Sequence, residues 1–385
     1  CCGCSACGQR CPKQCITMEE DNEGFLYPKV NTSLCIDCHL CEKVCPVINQ
    51  NEVRKPLNVY AAINPEEELR QQSSSGGIFT MLAEHIIDED GVVFGAVWDN
   101  NWNVKHSYTE SKIDLQQFRS SKYLQSIIGN SYQQAELFLK AGRKVMFTGT
   151  PCQIAGLLHF LRKPYINLLT VDVICHSVPS PGVWQQYLSE KMHSLKWKKQ
   201  DISQISFRNK QTGWKSYSFV IERKNSDSYS ELGSRNPFMQ GFIADLYTRP
   251  SCVACPAKQL KSGSDITLGD FWGINTLKSE LDDDKGVSAV TVNTLKGKEA
   301  LLAVDANLYD MSYEELIKRN PSMVRSASMQ KKRNKFFEAE SVLFEVKVKK
   351  LTDVPFSCRR IINNIALSLK KYIKQILKRI LSKKY

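Results

Sequence analysis

Cys1-Cys2-Gly3-Cys4-Ser5-Ala6-Cys7-Gly8-Gln9-Arg10-Cys11-Pro12 opens the chain, and Cys35-Ile36-Asp37-Cys38-His39-Leu40-Cys41-Glu42-Lys43-Val44-Cys45-Pro46 repeats its cysteine spacing. Both stretches read C-x2-C-x2-C-x3-C-P. In this spacing each run wraps a 4Fe–4S cubane while its fourth thiolate reaches the neighbouring cubane. One thiol set is therefore expected from Cys1, Cys4, Cys7 and Cys45, and a second from Cys35, Cys38, Cys41 and Cys11. Zinc takes its four ligands as two separated pairs, which an evenly packed triplet does not offer. A disulfide framework belongs to small secreted domains, and nothing else here resembles one. Cys2 and Cys15 fall outside the pattern and read as small packing residues. The opening stretch thus predicts a module that moves single electrons.

The chain has 385 residues, enough for two or three domains with substantial cores. Its apolar and charged fractions, 42% and 24%, are those of an ordinary globular protein. No apolar run approaches the length of a membrane span. The chain starts at Cys1 without a methionine, so residues ahead of it are expected. The fifteen cysteines point to a reducing cytoplasm, where free thiolates and oxygen-labile clusters survive. The net charge of +12 is concentrated: residues 359–385 carry nine Lys or Arg and no acid, leaving about +3 for the rest. The basicity is a property of the tail, and no nucleic-acid partner is expected.

Residues 1–55 read as a duplicated, ferredoxin-like two-cluster module, with Phe25-Leu26-Tyr27 as a short strand between the halves. From Val59 the pattern becomes α/β. Val92–Trp98 is a continuous apolar run, as a strand covered on both faces requires. Lys144–Phe147 and Leu168–Ile174 are further strands, each followed by a helical stretch. Segments 56–150 and 151–330 are expected as two body domains, and 331–385 as a basic helical tail.

Four more cysteines, Cys152, Cys175, Cys252 and Cys255, lie in this body. Cys152 and Cys175 are expected to close apolar strands, and Cys252 and Cys255 form a C-x2-C pair on a loop. Strand ends on one sheet edge converge, so the four thiols can meet and hold a third cluster. The same residues also fit two buried core thiols beside a pair that binds zinc or nothing. Ser73-Ser74-Ser75-Gly76-Gly77 precedes a helix. Such a loop suits either a cofactor phosphate or a plain helix cap. No Gly-x-Gly-x-x-Gly follows a strand and no Walker loop occurs, which argues against a Rossmann dinucleotide site or an ATPase. The six histidines show no metal spacing.

Taken in order, these pieces resemble a known family. After the cysteine runs come Ser74-Ser75-Gly76-Gly77, Ser121-Lys122-Tyr123-Leu124-Gln125-Ser126 and Gly149-Thr150-Pro151-Cys152-Gln153. Asp172-Val173-Ile174-Cys175-His176 and Arg249-Pro250-Ser251-Cys252-Val253-Ala254-Cys255 follow, and Asp270-Phe271-Trp272-Gly273 closes the series. The ordered set resembles the family of coenzyme F420 hydrogenase/dehydrogenase beta subunits from Cys1 to about residue 320.

The resemblance implies an α+β iron–sulfur flavoprotein: a two-cluster module, an α/β body that binds FAD, and a basic C-terminal helix. It implies a third 4Fe–4S cluster on Cys152, Cys175, Cys252 and Cys255, and a flavin role for Ser74, Ser75, Gly76, Gly77 and Lys122. The implied activity is oxidoreduction between a reduced hydride carrier, such as reduced coenzyme F420, and a one-electron chain. A redox partner protein or ferredoxin completes that chain. The alternative is a non-catalytic relay protein that hands electrons to a partner reductase. In the tail, Ile362, Ile365, Leu369, Ile373, Ile376 and Ile380 repeat at helical spacing among Lys and Arg. This pattern fits either peripheral contact with an anionic membrane surface or a docked helix.

Overall fold

A computed structural model describes residues 1–328, 331–339 and 342–352. The expected basic helix over Ile362–Ile380 lies outside the described residues. Short helices at Arg333–Glu338 and Phe344–Thr352 precede it. Among the described residues no helix is long and apolar enough to cross a membrane.

The N-terminal module consists of helix α1 (Ala6–Arg10), strands β1 (Ile16–Glu20) and β2 (Leu26–Val30), and helix α2 (Leu40–Lys43). The strands pair antiparallel with Met18 opposite Pro28, a place open to proline because the ribbon has only edge strands. The strand expected around Phe25 begins one residue later, and Phe25 itself is fully buried. The two cysteine runs share a backbone conformation. Gly3 and Asp37, each two residues after the first cysteine, have φ of 72° and 51°. Ser5 and His39 cap their helices at φ of 60° and 54°. In each run the third residue donates its N–H to the first sulfur: Gly3 to Cys1 at 3.3 Å, Asp37 to Cys35 at 3.4 Å.

The body is built on one eight-stranded sheet. Its strands are β3 (Asn58–Ile63), β4 (Val92–Trp98), β5 (Val104–Thr109), β6 (Val145–Gly149) and β7 (Leu168–Val173), followed, after an insertion, by β11 (Ile266–Asp270), β12 (Ser288–Val292) and β13 (Asn307–Asp310). The insertion forms a separate three-stranded sheet of β8 (Ile202–Asn209), β9 (Ser218–Arg223) and β10 (Ser228–Leu232). The order in the large sheet is β13-β3-β12-β11-β7-β6-β4-β5, with β11, β7, β6 and β4 parallel. Because β6 pairs with β7, the expected segments 56–150 and 151–330 meet in one sheet.

Both faces of the parallel strands are covered, which explains their unbroken apolar runs. Helices α3 (Glu67–Gln72) and α4 (Ile78–Asp88) follow β3. Ile78 and Leu82 of α4 pack with Val93 and Met146 on one face. Helices α5 (Ser131–Lys140) and α6 (Pro151–Leu161) cover the other, where Tyr132, Ile154 and Leu157 meet Phe94 and Phe147. Cys2, Cys4, Ala6 and Val44 join that second cluster, so the N-terminal module docks on the α5–α6 face. Helix α7 (Pro181–Leu195) leads into the inserted sheet, and Trp184 packs there against Phe207, Phe219 and Phe238.

Candidate functional site

In open parallel sheets the loops leaving the carboxyl ends of the strands gather the chemistry. Here β6 runs into Thr150 and Cys152, β7 into Cys175, and β11 into Asp270 and Trp272. Cys152 lies in the first turn of α6 rather than at the end of β6. The helix starts early because Pro151 sits at its first position and Thr150 and Gln153 form a reciprocal capping box.

The second thiol set surrounds a cavity of about 60 Å³. Cys35, Cys38 and Cys41 line it, and so does Cys11 from the other run, as the crossed spacing anticipates. Cys15 lines the same cavity, with its sulfur 3.4 Å from that of Cys11. In the first set, Cys7 lies within electrostatic reach of Cys45, again across the runs. Cys4 packs on Gly156 of α6, where a Cβ would lie 2.9 Å from its sulfur. Cys2 is buried, and its thiol touches both Cys4 and Cys152.

The body brings together Cys152 from α6, Cys175 after β7, and Cys252 and Cys255 from the Pro250–Ala254 turn. Burial is the main cause that pushes Cys175 well above the usual thiol range, and it pushes Cys252 to about 12. Contact with Cys2, then burial, raises Cys152 in the same way. Cys175 feels the charge of Cys152, Cys252 and Cys255, Cys252 that of Cys152 and Cys255, and Cys255 that of Cys152. Four such thiols have no reason to ionise unless a cation joins them, and coordination to iron removes their protons. Among the described residues no three His, Cys, Asp or Glu side chains close on a single ion. Lys258 is buried beside the set and donates to the carbonyls of Cys175 and Ser322. Asp172 lines the small cavity behind Cys175, and burial raises its pKa to about 6.

The two segments assigned to a flavin also meet. Ser74 Oγ accepts from the Ser121 N–H at 2.7 Å and lies 2.9 Å from Ser121 Oγ. Lys122 donates to the Arg119 carbonyl at 3.0 Å. Although part of the residue is accessible, burial of its ammonium lowers the pKa to about 7. Ser75 Oγ bonds the Val287 carbonyl at 2.9 Å, and the Gly76 N–H bonds Ser288 Oγ at 3.0 Å. Gly76 is glycine for the sheet's sake, since a Cβ there would stand 2.3 Å from the Ala62 carbonyl oxygen. Gly77, at φ 89°, starts α4 and packs on Asn64.

Several residues around this joint carry no signal in the sequence. Arg208 pairs with Asp270 at 2.8 Å, stacks over Tyr217 at 4.2 Å and approaches the Ser74 carbonyl at 3.5 Å. Its Nε is buried without a partner. Lys210 donates to the Ser75 carbonyl at 3.0 Å, and burial brings it down to about 8. Trp214 stacks on Trp272 with 5.1 Å between ring centres and bonds Asp270 at 2.8 Å. The available pointer was the Asp270-Phe271-Trp272 turn. Arg208 and Lys210 sit in an insertion whose pattern reads only as a strand. Orphaned Arg208 Nε, buried cations and aromatic faces at one place fit an anionic, planar cofactor such as a flavin.

Residues 142–316, which include all four body cysteines, match the family model for the C terminus of the coenzyme F420 hydrogenase/dehydrogenase beta subunit. Residues 28–47, the second cysteine run, match a 4Fe-4S binding domain. One of the subunits of the F420H2 dehydrogenase of Methanosarcina mazei is 24% identical over 162 residues, 40% of this chain and 46% of that protein. The chain thus matches less than half the length of that curated relative. A chain of the F420-reducing NiFe hydrogenase complex from Methanosarcina barkeri superposes with a TM-score of 0.46 and 16% identity, covering 70% of this chain and 91% of that one.

Proposed function

We propose that the chain, whose residues 142–316 match the model for the C terminus of coenzyme F420 hydrogenase/dehydrogenase beta subunits, is a member of that family and an iron–sulfur flavoprotein oxidoreductase joining a hydride carrier to a one-electron chain. The observation that carries this reading is the convergence of Cys152, Cys175, Cys252 and Cys255 beside Cys2 and Cys4, on the sheet that also carries the Ser74–Ser121 joint. Three thiol sets would hold three 4Fe–4S clusters: Cys1, Cys4, Cys7 and Cys45; Cys35, Cys38, Cys41 and Cys11; and the four body cysteines. Ser74, Ser75, Gly76, Gly77 and Lys122, with Arg208, would hold FAD. When bound, a flavin exchanges a hydride, two electrons with one proton, and passes the electrons singly to cubanes.

The chain's own residues do the placing. Lys122 and Arg208 bring positive charge to the flavin joint, which favours an anionic reduced cofactor. The Thr150–Gln153 capping box fixes the turn that carries Cys152. At the other end Cys35 is exposed, and its neighbours Leu34 and Ile36 are 54% and 56% accessible. That rim supports contact with a redox partner protein at the second set, in the manner of small electron-transfer interfaces. Each hydride taken up would supply two one-electron acceptors and release one proton.

The test is an anaerobic screen of the reconstituted full chain with reduced coenzyme F420, nicotinamide carriers and reduced ferredoxin. The expected result is bleaching of the flavin band by a hydride donor, followed by reduction of the clusters. If every hydride donor fails while dithionite reduces the clusters, the chain is an electron relay instead.

A further inference from the structure

Among the described residues, Arg249 and Lys258 are buried cations that meet no carboxylate, as Lys210 is near Ser75. Arg249 is 1% exposed and directs its donors only to neutral groups: Nε to the Cys1 carbonyl at 2.9 Å, one terminal nitrogen to Gln125 Oε1 at 2.8 Å, the other to the Leu26 carbonyl at 2.8 Å. Its guanidinium also lies 4.2 Å from the Tyr27 ring centre. Lys258 is 8% exposed, and its ammonium meets the carbonyls of Cys175 and Ser322. Neither forms an ion pair among the described residues. A buried charge is costly unless an opposite charge accompanies it.

Their charge reaches the body thiols, which would be thiolates with iron bound, and Lys258 also lines the small cavity that holds Asp172. Arg249 grips the first cysteine loop directly and through Gln125, whose side-chain N–H bonds the Cys2 carbonyl at 2.8 Å. From the other side its carbonyl accepts the Cys252 N–H at 2.9 Å, and its charge reaches Cys152. Arg249 therefore stands between the first thiol set and the body set. The charge of Lys258 reaches Cys175, Cys252 and Cys255, so it serves the body set alone. Around the second set the cations are of another kind: Lys13, which lines its cavity, is exposed to water.

We propose that Arg249 and Lys258 are the built-in counter-charges of the two inner iron–sulfur sites, Arg249 shared between the first set and the body set and Lys258 reserved for the body set. The proposal rests on the cluster reading above. A 4Fe–4S cluster on four thiolates is an anion that gains one more negative charge on reduction. Burial penalises that gain, and a fixed neighbouring cation offsets the penalty. Arg249 is also a positioning residue, since the same guanidinium ties the first loop to the turn that carries Cys252. Gly3 is glycine partly on its account: a Cβ there would lie 2.9 Å from the Arg249 guanidinium nitrogen and 2.6 Å from Gln125 Nε2.

The experiment is a paramagnetic-resonance redox titration of the anaerobically reconstituted full chain, with iron counted per chain. Lys258→Gln is expected to move the body-site potential negative and leave the other two in place. Arg249→Gln is expected to move both the first and the body sites negative, with the second unmoved. Arg249→Lys, which keeps the charge but not the fork, is expected to hold both potentials near wild type. It should weaken the magnetic coupling between the first and body sites, because the loop is tied less tightly. A Lys258→Gln shift shared equally by all three sites, or potentials unmoved in both neutral variants, overturns the assignment. So does Arg249→Lys shifting as far as Arg249→Gln, which would mean a purely structural role. If wild type carries no body cluster at all, the reading beneath the proposal falls with it.

Discussion

The two cysteine runs are the same piece of backbone in opposite surroundings. Positive φ recurs at the third and fifth residues of each, and each turns an N–H onto its first sulfur. Yet residues 2–6 of the first run are buried against α5 and α6, whereas residues 34–37 of the second face solvent. At the third position Gly3 is pressed by Gln125 and Arg249, while the side chain of Asp37 is 88% exposed. Spacing alone thus dictates how a run can wrap iron. Docking sets the surroundings, buried beside the body thiols in one case and open to solvent in the other.

The comparison can be broken most sharply at a ligand. Cys11→Ser, in the first run, should abolish or distort the resonance signal of the second site and leave that of the first nearly unchanged. The opposite pattern would mean that each run keeps its fourth thiolate to itself. A smaller effect separates the two third positions. Gly3→Ala forces a Cβ to 2.6 Å from Gln125 Nε2 at φ 72°, and should cost about 1–3 kcal/mol of stability in anaerobic denaturant titrations. Asp37→Ala faces water and should cost under about 1 kcal/mol. Equal losses would show that the docked environment contributes nothing.

A pH-dependent effect concerns the support beneath the docked half. His106 donates from Nε2 to the Thr148 carbonyl at 2.9 Å and accepts from Ser126 at Nδ1. Gln153 of α6 bonds the same Ser126 hydroxyl at 2.8 Å. Burial holds the folded His106 pKa near 4, below its ordinary 6.5. Between those values the unfolded chain binds the extra proton, so this contribution is complete above about pH 6.5 and fades toward pH 4, by up to about 3 kcal/mol. Asp172 is raised instead of lowered and titrates with the opposite sign. The check is therefore the difference between wild type and His106→Gln, which should shrink as the pH falls. A constant difference would mean that His106 is not buried as a neutral ring.

Much of this was legible in the residues themselves. The turns of the two cysteine runs follow from spacing, because they are local and repeat wherever the spacing does. The strands β4, β6 and β7 announced themselves as short apolar runs, since a sheet covered on both faces admits little else. The placement of Cys152 was misread by a few residues, because a proline and a capping box can start a helix directly after a strand. The continuity of the sheet across residue 150 was hidden, since pairing of β6 with β7 is a long-range choice that no local pattern records. Arg208, Lys210, Arg249 and Lys258 were invisible for a related reason. A lysine or arginine in a sequence looks solvated, and only tertiary packing turns it into a buried cation. Part of the Ser-Gly-Gly signal proved to be architectural, as the contact between Gly76 and the Ala62 carbonyl shows.

The central claim is that the body thiols form a third site joined to the first. It is tested most directly by iron and acid-labile sulfide counted per chain in an oxygen-free preparation, wild type beside Cys152→Ser. About twelve irons, falling to about eight in the variant with the two N-terminal signals intact, is the predicted result. About eight in both, with Cys152 free to alkylation in the wild type, would contradict it.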